Sequence, residues 1–489
     1  MIPLTLAQVA EVTGGRLHGD PGAVVTGEVV IDSRLAGPGG LFAAVPGERA
    51  DGHDFAAAAA AAGAVAVLAT RPVPAPSILV GDVPAALAAL ARFVVDSLPG
   101  VTITGITGSS GKTTTKDLAA QLIERLGPTI APAGSFNNEF GHPLTVLRAD
   151  ASTRYLVLEL SARGPGHIAY LCGIAPPRYG VVLNVGHAHA GEFGGLDQTA
   201  RAKGELVEAL PAGGAAILNA DDPRVLAMAA RTPARVVTFG LAPGQPRAPQ
   251  PVIRAADVRL DDLGRPGFTL LTPEGRAAVA LRLHGAHIVP DALAAAALAR
   301  ELGLGPADIA DGLSAAVTRS RWRMEVHRRD DGVTIINDAY NANPESVRAA
   351  LDALRHLAVG GRAFAVLGHM GELGAVSRAS HEGVGEFAAR AGLAGLIAVG
   401  EEAAPILAGA RRVRSWTGEA LAAPDAAAAL EALANQLKPG DVVLVKASRA
   451  AQLEGVAMAL LSRGDDPPEP PAHGGAARPP VPPREEADR

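Results

Sequence analysis

Cysteine is almost absent from this 489-residue chain. Cys172 stands alone, so no internal disulfide forms and no cysteine-based zinc site can be built. Aromatic residues make up only 3%, too few for the stacking platforms on which single-stranded nucleic acid is held. Excess positive charge is missing as well. Forty-four Lys and Arg face 50 Asp and Glu, giving a net charge of −6 that argues against a general nucleic-acid binder. Anionic ligands remain possible where cations are placed locally. Long apolar runs are also lacking. The longest, residues 55–69, is mostly alanine and falls short of the ~18–20 residues that cross a bilayer. Residues 1–15 have no basic segment followed by a sustained apolar core, so no secretory signal is read there. The expectation is a cytoplasmic protein that is not an integral membrane protein and works as a monomer.

Apolar residues are plentiful at 48%, and the length suits about three domains of ~150 residues. Residues 1–98 mix short strand-like stretches (24–31, 64–68, 77–80) with alanine-rich helices. Beyond them, β-branched or apolar runs at 101–106, 155–160, 180–185, 215–218 and 236–239 alternate with helical stretches. A second series follows at 333–337, 363–367, 396–399 and 442–445. Such alternation predicts an α/β protein with parallel sheets covered on both faces. Residues 241–283 read instead as a small antiparallel insert. The last 25 residues, 465–489, hold 8 of the 38 prolines and almost nothing apolar, which predicts a disordered tail. The expected organisation is a small α/β domain (1–98), a central doubly wound domain (99–316), a Rossmann-like α/β domain (317–464) and the tail.

Gly105-Ile-Thr-Gly108-Ser109-Ser110-Gly111-Lys112-Thr113-Thr114 lies between a strand-like run and an apolar-periodic helix. Backbone N–H groups of such a loop can surround phosphate oxygens. The Lys112 ammonium would neutralise the β- and γ-phosphates, and the Thr113 hydroxyl would reach a magnesium ion. The strict G-x-x-x-x-G-K-[ST] spelling fails at Ile106, yet loop, lysine, threonines and strand–helix context coincide. Glu159 and His189 fall at or just beyond the carboxyl ends of predicted strands, where ligands of doubly wound sheets bind. His187 and His189 taken alone read as solvated or structural loop residues. Lys203, in an amphipathic helix opening, reads as a surface lysine.

The segment TGSSGKTT resembles the ATP-binding loop of the Mur ligases, ATP-dependent amino-acid and peptide ligases of cell-wall precursor synthesis. The similarity runs over about residues 4–460 and is strongest in SFNNEFGHPL (135–144), NVGHAHAGEFGG (184–195), NDAYNANPES (337–346) and LGHMGELG (367–374). It implies the branch that joins D-alanyl-D-alanine to the terminal carboxylate of UDP-N-acetylmuramoyl-tripeptide through an acyl phosphate, with ATP and Mg2+. By this resemblance Thr113 and Glu159 serve one magnesium and His189 a second. Lys203, in AKGEL, matches a lysine that is carbamylated to help hold the second ion. Asp338 and Asn341 would lie against the ATP ribose and base, and Arg323 would reach the phosphates. Lys446, Ser448 and Arg449 would face the incoming amine. Ser33 and Arg34 would hold the UDP end, with Asn137, Asn138 and Glu139 positioning the same substrate. The third domain would close over the second when ATP binds.

Some positions depart from the pattern. His187 stands where threonine is usual, and His369 where an acidic or small residue is, so neither is assigned a role. Asp291 replaces an asparagine whose amide reads adenine. An aspartate has no amide donor, and it is expected to cap the N-terminus of the following helix. Rival readings are a sister ligase adding a diamino acid to the UDP-muramoyl dipeptide, which usually carries Tyr-Ala-His near Tyr340, and a non-catalytic nucleotide-binding scaffold. A folate-type glutamate ligase fits less well, because the first domain resembles a UDP-sugar module.

Overall fold

The computed structural model describes residues 1–47, 50–186, 195–241, 251–434 and 436–462. His187, His189 and the expected tail at 465–489 lie outside the described residues. The described residues are α/β, and their strands form three main sheets.

The first strands are β1 (Leu4–Thr5), β2 (Arg16–His18), β3 (Val24–Val25), β4 (Val29–Val30), β5 (Leu41–Ala43), β6 (Ala66–Ala69) and β7 (Ser77–Leu79). They build a β1–β3 pair and a five-stranded sheet of order β2-β7-β6-β5-β4, parallel except for β2. The strand expected at 24–31 is split in two. Backbone passes so close at Gly27 that a Cβ there would sit 2.7 Å from Gly40 N and Pro38 O. The helix Val83–Asp96 follows, begun by Pro84 in its first turn and by Asp82, whose side chain accepts from Ala85 N at 2.7 Å. Such a cap contributes ~1 kcal/mol.

The central sheet comprises β8 (Thr102–Thr107), β9 (Thr129–Ile130), β10 (Tyr155–Glu159), β11 (Tyr179–Val182), β12 (Ala215–Asn219), β13 (Arg235–Gly240), β14 (Ile253–Leu260), β15 (Pro266–Thr272) and β16 (Gly275–Ala280). Its order is β16-β15-β14-β13-β12-β11-β8-β10-β9. Within the segment expected to be a small antiparallel insert, β14, β15 and β16 form an antiparallel meander, and β14 also pairs in parallel with β13, so the meander extends this sheet. Alternation along a strand shows which face is buried and does not say which edge the strand joins.

The third sheet contains β17 (Glu325–Arg328), β18 (Thr334–Asn337), β19 (Ala363–Leu367), β20 (Gly395–Val399), β21 (Glu419–Ala423) and β22 (Val442–Lys446), in the order β17-β18-β22-β19-β20-β21. Only β17 runs antiparallel.

Two features position the site. First, β8 lies between β10 and β11, so the chain leaves it toward one side and later returns on the other, opening a crevice beyond its carboxyl end. Second, the core is shared. Leu87 and Leu90 of the first unit, Leu144 and Ile168 of the second, and Leu206 beyond them belong to one apolar cluster. The first sheet is therefore fastened to the central one by the hydrophobic effect rather than by a linker alone. On the opposite face the alanine-rich helix Ile288–Glu301 is almost wholly buried and packs along the helix Lys112–Ile123.

Candidate active site

Residues 108–111 turn from β8 into the helix Lys112–Ile123. Gly111 adopts the left-handed conformation, φ +81°, and a Cβ there would meet Asp291 Oδ1 at 2.2 Å, so both backbone and space require glycine. The loop is braced from β11. Asn184, two residues past that strand, accepts from Ser109 N and Ser110 N through its Oδ1, both at 2.9 Å. Lys112 Nζ folds back onto Gly108 O at 2.8 Å. Burial lowers the Lys112 pKa, and Glu159 opposes that shift.

The carboxyl end of β10 supplies Glu159, one strand from the loop because β10 pairs directly with β8. Thr113 Oγ1 donates to Glu159 Oε2 at 2.9 Å, and Asn137 Nδ2 donates to Glu159 Oε1 at 2.7 Å. Ser135 Oγ lies 3.0 Å from Thr113 Oγ1 and accepts from Arg323 Nη2 at 2.9 Å. Among the described residues no three His, Cys, Asp or Glu side chains cluster as a preformed metal site. The Thr113 and Glu159 oxygens are nevertheless the hard donors that magnesium takes, with room for phosphate oxygens as the remaining ligands. Lys203, read alone as a surface residue, is 2% exposed. Desolvation, reinforced by repulsion from Lys112, drives its pKa well below the usual lysine value.

The third sheet meets this crevice with its own strand ends. Parallel pairing of β18 with β22 places Asp338 beside Lys446, whose Nζ donates to Asp338 Oδ2 at 2.6 Å and to Asn341 O at 2.8 Å. The Arg323 guanidinium lies over the Tyr340 ring at 4.3 Å, and that of Arg449 over Trp322 at 4.5 Å. Asn343 caps the helix Pro344–Leu357 by accepting from Ser346 N at 2.8 Å, and its Nδ2 reaches Ser109 O at 3.4 Å. His381 accepts from Met370 N at 2.9 Å and stacks on His369, holding the 368–373 turn at the site's edge.

These groups surround one cavity of about 1220 Å3. Residues 109–114, Asn137, Asn138, Glu159, Arg323, Asp338, Asn341, Lys446, Ser448 and Arg449 line it. Gly108, Lys203, Ser33 and Arg34 are not among its lining residues. Arg34 instead lies on the surface of the first unit, where it pairs with Asp32 at 2.6 Å. Asp291 corrects an expectation. It is no N-cap, because the helix already begins at Ile288 with His287 before it, and Pro290 sits within the first turn. Its carboxyl is buried on the cavity wall, and burial pushes its pKa up to about 8, with Thr115 and Arg323 pulling weakly the other way. Asn184 and Asn343 were not singled out from the sequence. Both fall in the segments quoted above, but an asparagine after a strand reads as an ordinary turn residue until the neighbouring strand is known.

A glycine loop, lysine and threonine at the switch point of a parallel sheet, faced by cations from a second sheet, define a phosphate-loop nucleotide site. Comparisons narrow the class. The Mur ligase family catalytic domain matches residues 26–94, the Mur ligase middle domain 106–299, and the Mur ligase glutamate ligase domain 322–449. UDP-N-acetylmuramoyl-tripeptide–D-alanyl-D-alanine ligase of Mycobacterium leprae is 47% identical over 95% of this chain and 99% of that protein. A crystal structure of MurF from Acinetobacter baumannii superposes with a TM-score of 0.82 at 32% identity, covering 94% of this chain and 98% of that one. The MurF ligase from Thermotoga maritima, solved in complex with ADP, gives 0.75 at 32% identity, covering 88% and 96%. The chain belongs to the Mur ligase family.

Proposed function

We propose that the protein is an ATP-dependent amide ligase that joins D-alanyl-D-alanine to the terminal carboxylate of UDP-N-acetylmuramoyl-tripeptide, yielding the UDP-linked pentapeptide, ADP and phosphate in peptidoglycan precursor synthesis. The reading is carried by near-full-length identity to ligases of that name. The single cavity in which the phosphate loop faces third-domain cations supports it. The acceptor carboxylate attacks the γ-phosphorus of ATP, giving an acyl phosphate and ADP. The dipeptide amine then attacks the acyl carbon and loses a proton, and the tetrahedral intermediate collapses to amide and phosphate.

Loop amides and Lys112 would hold the phosphates in line, with Arg323 approaching from the third domain. Thr113 and Glu159 would hold a magnesium ion, which when bound offsets the charge of two anions brought together. His189 is kept as ligand to a second ion. Lys203 is buried with its pKa depressed, and a neutral amine is the state that carbamylation requires. Its carbamate would add an anionic oxygen to that second site. Asp338 and Asn341 would contact the nucleoside. Lys446, paired with Asp338, and Arg449, paired with Glu454, would face the dipeptide together with Ser448. Ser33 and Arg34 would take the UDP end, with Asn137 and Asn138 nearer the reacting carboxylate. In this reading residues 1–98, 99–316 and 317–464 are the acceptor, ATP and amine domains. No helix among the described residues is long and apolar enough to cross a membrane. ATP and UDP-linked precursors are cytoplasmic metabolites, and the reading places a monomeric enzyme there.

The deciding measurement is ADP release. ADP should form only when UDP-muramoyl tripeptide and D-alanyl-D-alanine are both supplied. Turnover with the dipeptide precursor and a diamino acid would favour the sister ligase, and no turnover with either pair would favour the scaffold.

A further inference from the structure

The passage into the third domain runs along the phosphate-loop helix and is tied to it at successive turns. Gln121 Nε2 donates to Val317 O, and its Oε1 accepts from Val317 N, both at 3.0 Å. Arg319 forks onto Glu124, with Nη2 and Oε2 2.6 Å apart. Nearest the loop, Ser320 N donates to Asp117 Oδ2 at 2.9 Å. The other oxygen of Asp117 accepts from Lys116, whose ammonium also donates to Pro132 O at 2.8 Å and reaches Ser320 Oγ at 3.3 Å. Lys116 is 2% exposed and Asp117 6%.

Removing both charges from water is unfavourable, and apolar side chains of similar volume would usually stabilise such a position as well or better. What the pair holds gives it a purpose. Three segments meet there: the first turns of the phosphate-loop helix, the strand-end loop that carries Ser135, and the linker that carries Arg323. Three residues beyond Ser320, Arg323 bonds Ser135, and Ser135 in turn touches Thr113. The buried pair thus stands behind the cation and the hydroxyl that face the phosphate loop: Lys116 lies off the cavity, and Asp117 borders it with both carboxylate oxygens already engaged by Lys116 and Ser320.

We propose that Lys116 and Asp117 are positioning residues, which pin Ser320 and the Pro132 loop to the phosphate-loop helix and thereby aim Arg323 and Ser135 at the phosphates of a bound nucleotide. The proposal rests on the nucleotide reading of the cavity and is independent of which amine and acceptor the enzyme joins. A rivet that only stabilises the fold would lower the melting temperature without acting through Arg323. The two are separated by a double-mutant cycle on the full-length protein, with ADP affinity measured by calorimetry for wild type, Asp117→Ala, Arg323→Ala and the double variant.

If Asp117 acts through Arg323, each single substitution weakens ADP by about tenfold, and the double variant is within about twofold of Arg323→Ala alone. Losses that multiply in the double variant overturn the proposal. So does wild-type ADP affinity in Asp117→Ala accompanied only by a lower melting temperature. Should Asp117→Ala fail to fold, Asp117→Leu, which fills the same space without an acceptor for Ser320 N–H, replaces it in the same cycle. Lys116→Met must reproduce the non-additivity. Absence of ADP binding by the wild-type protein is a separate result, which removes the nucleotide reading and this proposal with it.

Discussion

The Asp291 carboxyl is buried beside the phosphate loop, and with its pKa raised to about 8 it is protonated at neutral pH. In that state it has an O–H to donate, the property an aspartate was expected to lack. Between its ordinary value of 3.8 and about 8 the folded protein binds one proton more than the unfolded chain. Stability therefore falls as pH rises through that window and levels off above it. Asp291→Asn should remove this slope, so the variant gains melting temperature relative to wild type as pH goes from 5 to 8. Parallel melting curves across that range would count against a buried neutral acid. His142, depressed to about 4 by burial, has the opposite sign: its contribution is lost as pH falls from 6.5 toward 4. At Lys203 the expected outcome is chemical. Lys203→Ala should lose ligase activity and regain part of it when a short carboxylate is added in solution. Full activity without the additive would exclude the carbamate.

Among the elements, the strand–loop–helix unit around residues 102–123 was the most legible, since a glycine turn feeding a helix is set by neighbouring residues. Gly111→Ala tests that unit directly. The left-handed backbone costs an alanine ~1–2 kcal/mol, and the Asp291 oxygen leaves its methyl no space, so ADP affinity and melting temperature should both fall. ADP affinity unchanged from wild type would show that the loop shifts without cost. Strands β9, β17 and β21 were not foreseen because they are short and partly exposed, with little apolar signal. The β14–β16 meander was legible as antiparallel, while its parallel attachment to β13 was not, because that depends on an edge left open elsewhere in the sheet.

For the whole molecule, the cavity draws its walls from two sheets joined by the 317–320 linker, so nucleotide should stabilise that junction. ADP at a hundred times its Kd should add ~2.7 kcal/mol, read as a higher melting temperature and slower protease cleavage within residues 317–324. Cleavage at an unchanged rate would mean that the third domain does not respond to nucleotide. The absence of a net positive charge, noted at the outset, proves compatible with a phosphate site because Lys112, Arg323 and Arg449 converge on one cavity. The α/β class, the phosphate loop and the family segments were readable from residues alone, since each is written in a short contiguous stretch. The burial of Lys203, the pairing of Asp338 with Lys446, and the arrival of Asn184 and Asn343 at the loop were not. Asn343 and Ser109 are 234 residues apart in the chain and meet only because two parallel sheets point their carboxyl ends at the same crevice. Charge state and partner at these positions follow from desolvation and strand adjacency, which no local stretch of sequence contains.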